Sequence, residues 1–361
     1  MRAGSERREL VPVERYRSLT ATGMTMKMQN VRKAISLISF IFYLVILISV
    51  FDVLVFRKCF RFGYPRHYEE ENIQRYPAPY VEFIGKPNVR DHNEYGFRGP
   101  SFKESEPEDL KIAFFGGSTG QKGNPPIPKI VEMELEKLLG VSVFVANYSV
   151  TSSNHRQHLH GIIEFLPQFK PDLVIFYGGY NETMQSAYYD PRPGYPFNYF
   201  YRSETGPLIK LLIENSAIIG EIDKKRGVLT GLAKLRTMEQ PFSDDWNKRI
   251  ADKYFETLRL SHDVTGSIES KRFGKTKFMA FYQPYQVPRK FMSTHDDIKK
   301  RISAVNYVFD VSSEYDAFGS GAYTDSVHVN QRANQTMGSA IARIIVKDPK
   351  IEAIRVTPES R

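Results

Sequence analysis

Ser118 ends an apolar run, KIAFFGGSTG (Lys111–Gly120), directly behind Gly116 and Gly117. A serine hydroxyl is a weak nucleophile at neutral pH. To attack an acyl carbon it needs a base within hydrogen-bond reach, an acid group orienting that base, and N–H donors for the developing oxyanion. The best base is His328 in YTDSVHVN (Tyr323–Asn330), because Asp325 precedes it by three residues and a single turn can bring the carboxylate to the imidazole. Taken alone, D-x-x-H is equally the pattern of a loop aspartate and a surface histidine. Asn181, closing the run DLVIFYGGYNE (Asp172–Glu182), has an amide able to donate to an oxyanion, although asparagine at such a point is also an ordinary turn residue. ANYSVTSSN (Ala146–Asn154) offers small polar side chains and backbone N–H groups.

The elements that must carry these residues alternate. Lys111–Phe115, Val141–Val145, Asp172–Tyr177, Lys277–Tyr282 and Val305–Val311 read as strands, and Pro128–Leu139, His155–Leu166 and Gln331–Val346 as helices. Strands that are nearly continuous in apolar residues imply a parallel sheet covered on both faces. Ser118 and Asn181 then share the carboxyl edge of the sheet, where open α/β folds bind ligands. From Thr183 to about Lys275 the alternation stops. This stretch opens on the aromatic cluster AYYDPRPGYPFNYFY (Ala187–Tyr201) and continues with helical patterns around Leu208–Ile222 and Trp246–Leu260, so it reads as an insertion or lid.

The formal charge is +9, but residues 1–33 hold eight Arg or Lys against three Glu, a net +5, which leaves +4 for the remainder of the 361 residues. The basicity therefore flanks a membrane segment, and no nucleic-acid partner is expected. Residues 34–51, AISLISFIFYLVILISVF, carry no charge, and the apolar character resumes after Asp52 as far as Phe56. At about 1.5 Å per residue this is a single-pass transmembrane helix, too long for a signal-peptide core and followed by Arg57 and Lys58, with no small-residue cleavage site. Lys27, Arg32 and Lys33 before it are balanced by Arg57, Lys58 and Arg61 after it, so charge alone leaves the orientation open. Cys59 is the only cysteine and has no intramolecular disulfide partner. His155, His158 and His160 lack the Cys or carboxylate company of a metal site; no metal and no cofactor is expected. The domain plan is a basic tail (1–33), a transmembrane helix (34–56), a membrane-proximal segment (57–108), an α/β domain (109–348) with an insertion at about 183–275, and a C-terminal tail (349–361).

In order and spacing these features resemble the SGNH hydrolases, the GDSL-type esterase and lipase superfamily. Its four blocks are a Ser after the first strand, a Gly after the second, an Asn after the third, and a D-x-x-H near the C-terminus. Here they read FGGSTG, NYSVTSS, GGYNE and TDSVHVN, and HNEYGFRGPSF (His92–Phe102) is similar to the N-x-x-GFRG lead-in of membrane-anchored bacterial members. The resemblance spans about residues 90–346 and implies a flavodoxin-like three-layer α/β/α sheet. It further implies Ser118 as nucleophile, His328 as base and then acid, Asp325 as its partner, and an oxyanion hole from Ser118, Ser149 and Asn181. Two positions depart from the family pattern: Gly117 stands where an Asp is usual, and Ser149 aligns with the glycine of the second block, beside the acyl group. The implied activity is hydrolysis of an O-acyl ester, such as an acetyl group on a cell-envelope or exported polysaccharide, by a domain facing the periplasm. An O-acyltransferase with the same triad and a catalytically silent binding protein are the alternatives, and the sequence names no protein partner.

Overall fold

The computed structural model describes residues 13–52, 54–55, 73–188, 216, 218 and 243–356. Cys59, most of the Ala187–Tyr201 cluster and most of the helical pattern at Leu208–Ile222 lie outside the described residues. The chain divides into two compact units. The first contains helix α1, Val13–Phe51. Its portion Met28–Phe51, 24 residues, is long and apolar enough to cross a bilayer and is not buried against protein. The helix extends back through much of the basic tail, since no proline interrupts residues 13–33 and Arg and Lys are good helix formers.

The second unit begins with a hairpin, β1 (Tyr76–Ala78) and β2 (Glu82–Ile84). Then follow β3 (Leu110–Gly116), the one-turn helix α2 (Ser118–Gln121), α3 (Ile127–Leu139), β4 (Val143–Asn147), α4 (His155–Phe169), β5 (Leu173–Gly178) and α5 (Tyr180–Tyr188). After these come α6 (Asp244–Thr265), a small ribbon of β6 (Glu269–Ser270) and β7 (Gly274–Lys275), β8 (Lys277–Tyr282), α7 (Met292–Ile302), β9 (Val308–Asp310), α8 (Gln331–Ile345) and α9 (Pro349–Glu352). The main sheet is parallel throughout, in the order β4-β3-β5-β8-β9, which is the flavodoxin-like order expected.

Both faces of the sheet are dry, which accounts for the unbroken apolar runs. Ile112 and Phe114 point to one face with Ile175, Phe281 and the apolar stripes of α3 and α8, among them Val131, Leu135, Met337 and Ile341. Ala113 and Phe115 point to the other with Val174, Phe176, Phe278 and residues of α4, α6 and α7, including Ile162, Leu166, Leu258 and Ile298. At about 25 cal/mol per Å² of apolar surface removed from water, these two interfaces supply the main driving force for the fold.

Two expected boundaries change. The stretch 244–265, assigned from the sequence to the insertion, is instead a helix of the main layer. Trp246, Ile250, Tyr254 and Leu258 recur every fourth residue, with Ala251 beside them on the same face, and all are buried. The segment before residue 109 is likewise part of the domain from residue 73 onward: Phe83, Phe97 and Phe102 join the same buried cluster as Phe115 and Phe169.

Candidate active site

β3 delivers the chain to Gly116 and Gly117, and Ser118 is the first residue of α2. At that position its N–H has no intrahelical acceptor. The imidazole of His328 lies 2.7 Å from Ser118 Oγ through Nε2, and 2.6 Å from Asp325 Oδ2 through Nδ1. Asp325 Oδ1 accepts the N–H groups of Val327 and His328 at 2.9 and 2.8 Å, so acid and base share one tight loop. Thr324 N–H closes that loop on His328 O, and Asn330 immediately after it caps α8. A carboxylate only accepts, so Nδ1 of His328 carries the proton and Nε2 is free to receive one from Ser118. Partial burial works to raise the Asp325 carboxyl, but the N–H groups of His328 and Val327 and the imidazole outweigh it and hold the carboxyl down at about 2. The residues named from the sequence for the triad are thus brought into one hydrogen-bonded line. A cavity of about 200 Å³ adjoins it, lined by Thr119, Lys122, Tyr177, Tyr315, Asp325 and His328.

Asn181 sits in the first turn of α5, and its Nδ2 donates to Ser153 O at 2.6 Å. The amide has a second hydrogen left for a ligand. A Cβ on Gly117 would stand 2.6 Å from that same nitrogen, which explains why this chain has glycine there: any side chain would displace Asn181. Four residues along the same helix, Gln185 Nε2 donates to Ser152 O at 2.5 Å, so α5 grips two successive carbonyls of the loop after β4.

Ser149 does not take the position expected of it. Its N–H is donated to Asn147 Oδ1 at 3.0 Å, and the residue is fully buried. Ser149 Oγ is wedged under the turn that carries Ser118, 2.5 Å from where a Cβ of Gly120 would be and 3.0 Å from one on Gly116. Its side chain is therefore packing beneath α2. The residue of this loop with the left-handed backbone that favours glycine is Ser152, at φ +67°. Among the described residues no acceptor takes the Ser152 N–H. The resemblance aligned Ser149 with the glycine of the second block because backbone handedness is not written in side-chain identity.

The lead-in is also built into the site. Asn93 Oδ1 accepts the N–H groups of Tyr95 and Phe97, and this turn presents Arg98 to the end of α2. There Arg98 Nη1 donates to Gln121 O at 2.6 Å and Gly123 O at 2.8 Å, while its Nε meets Asp91 Oδ2 at 2.5 Å. Thr151 Oγ1 bonds the side chain of Gln121, joining α2 to the loop after β4.

Similar folds occur among solved structures. An inhibitor-bound aryl esterase of M. smegmatis is 12% identical over 65% of this chain and 98% of its own, with a TM-score of 0.37. The lipase Lip_vut3 from a goat rumen metagenome is 12% identical over 68% and 97%, with a TM-score of 0.38. Axe2, an acetylxylan esterase from Geobacillus stearothermophilus, is 13% identical over 68% and 95%, with a TM-score of 0.35. No family model and no curated protein sequence matches the chain.

Proposed function

We propose that the chain is a membrane-anchored serine esterase of the SGNH hydrolase type, acting on an O-acyl ester. The observation that carries this reading is the unbroken line Ser118 Oγ, His328 Nε2, His328 Nδ1, Asp325 Oδ2, with its two contacts at 2.7 and 2.6 Å. Ser118 Oγ attacks the ester carbonyl while its proton passes to His328 Nε2, and Asp325 stabilises the imidazolium. His328 returns the proton to the departing alcohol oxygen, leaving an acyl-serine. Water then gives a proton to His328 as its oxygen attacks the acyl carbon, and Ser118 recovers its hydrogen as the acid leaves. The N–H of Ser118, the second amide hydrogen of Asn181 and the N–H of Ser152 hold the oxyanion. Ser152 takes over the part expected of Ser149.

Helix Met28–Phe51 supports the anchor. The family resemblance points to a periplasmic domain acting on acetyl groups of a cell-envelope or exported polysaccharide. The test is labelling of the detergent-solubilised chain by a fluorophosphonate, with hydrolysis of p-nitrophenyl acetate alongside. Wild type reacts and folded Ser118→Ala does neither; equal reaction by the two proteins refutes the reading.

A further inference from the structure

Behind the candidate oxyanion loop lies a buried polar chain that the reaction itself does not use. His155 and His158, in the first turn of α4, are 0% and 3% exposed. Their Nδ1 atoms are 3.2 Å apart. His158 Nε2 lies 2.8 Å from Ser153 Oγ, and that oxygen is also 2.9 Å from Gly116 O and 2.8 Å from Val150 O. At the other end Glu182 accepts the backbone N–H groups of His155 and Gly179, both at 2.7 Å, and its Oε1 is 3.3 Å from His155 Nδ1. Gly178 leaves the room for the first ring: a Cβ there would be 2.6 Å from His155 Cε1.

The direction of this chain follows from its ends. Two carbonyl oxygens face Ser153 Oγ, and a carbonyl only accepts, so the single hydroxyl hydrogen is spent on them. His158 Nε2 must then carry the proton it shares with Ser153. With only one ring proton on the neutral imidazole, His158 Nδ1 is bare and receives a hydrogen from His155 Nδ1. Burial drives both imidazoles down to about 3, in keeping with one proton each. The reverse direction would set unshielded oxygens against each other at Ser153 and leave a buried N–H at His155 Nε2, an atom without a protein partner among the described residues. Burial raises the Glu182 carboxyl, while its own backbone N–H, the His158 ring and the N–H groups of His155 and Gly179 draw it back. The order holds without reference to that charge, because the carbonyls at the Ser153 end fix it.

Ser153 is where the chain meets the site. Its hydroxyl engages Gly116 O, two residues before Ser118, and Val150 O in the loop after β4; its carbonyl takes the amide of Asn181. We infer that Ser153 is a positioning residue for the oxyanion hole, and that His155 and His158 form a directed hydrogen-bond relay, anchored on Glu182, that holds its hydroxyl on Gly116 O and Val150 O. This rests on the esterase reading. The relay aligns donors that act only as the oxyanion develops, so its loss is felt in kcat and not in KM.

The experiment compares full-length wild type, Ser118→Ala, Ser153→Ala, His158→Leu and His158→Gln in detergent, each checked for native circular dichroism. Fluorophosphonate labelling rates and kcat and KM on p-nitrophenyl acetate are measured. Ser153→Ala and His158→Leu are expected to lose about 10- to 100-fold in labelling and kcat with KM within about twofold, a fraction of what removing one oxyanion donor outright costs. Gln carries an amide N–H close to where imidazole Nε2–H lies, so His158→Gln should recover to within about fivefold of wild type. Nitrogen-15 spectra of the wild type should assign the proton to Nδ1 in His155 and to Nε2 in His158. Ser153→Ala reacting within threefold of wild type, His158→Gln no better than His158→Leu, or the opposite tautomers would each overturn the relay while Ser118-dependent labelling left the esterase reading standing. Absence of labelling in folded wild type would overturn both.

Discussion

Replacing Arg98 by alanine should loosen the Ser118 turn from a distance. One guanidinium nitrogen holds Gln121 O at 2.6 Å and Gly123 O at 2.8 Å, at the end of the turn that Ser118 begins. A hydrogen bond from a charged donor contributes about 1.5–3 kcal/mol when shielded from water. The Arg98 side chain is 24% exposed, so water replaces part of each, and the two together are expected to cost about 2–4 kcal/mol. Its pairing with Asp91, which is 55% exposed, adds at most about 1 kcal/mol. For a domain of this size that is a fall in Tm on the order of 5–10 °C, accompanied by about a tenfold slower fluorophosphonate reaction as α2 frays. Lysine, with a single ammonium, should restore less than half of either effect. The assay is thermal unfolding beside labelling kinetics for Arg98→Ala, Arg98→Lys and Asp91→Ala. If Arg98→Ala and Asp91→Ala behave alike, the clamp on the two carbonyls is without consequence and the reasoning is refuted.

Asp325→Asn turns an acceptor into a donor opposite His328 Nδ1 and forces the wrong tautomer, so labelling should slow by about 10³–10⁴-fold; a loss below tenfold would contradict the assignment. Because the N–H groups of His328 and Val327 and the imidazole hold the Asp325 carboxyl below its ordinary range, at about 2, the charged carboxylate favours the fold above the usual carboxylate range and that contribution is lost as pH falls toward 2. The Tm difference between wild type and Asp325→Asn should therefore shrink between pH 6 and pH 2, and a constant difference would count against the hydrogen-bonded carboxylate. Ser152→Gly should keep activity, because the N–H stays in place, while relief of the left-handed backbone and loss of the Arg75 hydrogen bond to Ser152 Oγ offset each other to within about 1 kcal/mol in chemical denaturation. Ser149→Gly, by contrast, should lose about 1 kcal/mol by leaving a void under α2, with no gain in kcat; improved turnover in Ser149→Gly would return the oxyanion role to that residue.

The parts legible in the sequence are those written as side-chain period or as local spacing. Ile112 and Phe114 against Ala113 and Phe115 read as one apolar run because both sheet faces are covered, and Asp325 reaches His328 within a single turn. What stayed hidden depends on backbone handedness or on partners far away in the chain. Ser152 looks like any loop serine until its φ is known, and only alignment with the family's second block points to Ser149, whose N–H is donated to Asn147 Oδ1. His155 and His158 were weighed against metals, whereas their partners are each other, Ser153 and Glu182, 27 residues on from His155. Helix α6 was given to the insertion because an interrupted alternation does not tell where the interruption ends, although its own apolar stripe was visible.

The start of the second unit is stitched to the loop that holds Ser152. Arg75 Nη2 donates to Ser152 Oγ at 2.8 Å, Thr151 Oγ1 to Gln74 Oε1 at 3.2 Å, and Gln157 Nε2 to Val81 O at 3.0 Å. A water-soluble version cut at the apparent domain start near residue 109 would thus discard side chains that brace the candidate site, and with them Arg98. Expression boundaries drawn just before residue 73 keep them, and an inert product from a shorter fragment would report the cut and not the proposed activity.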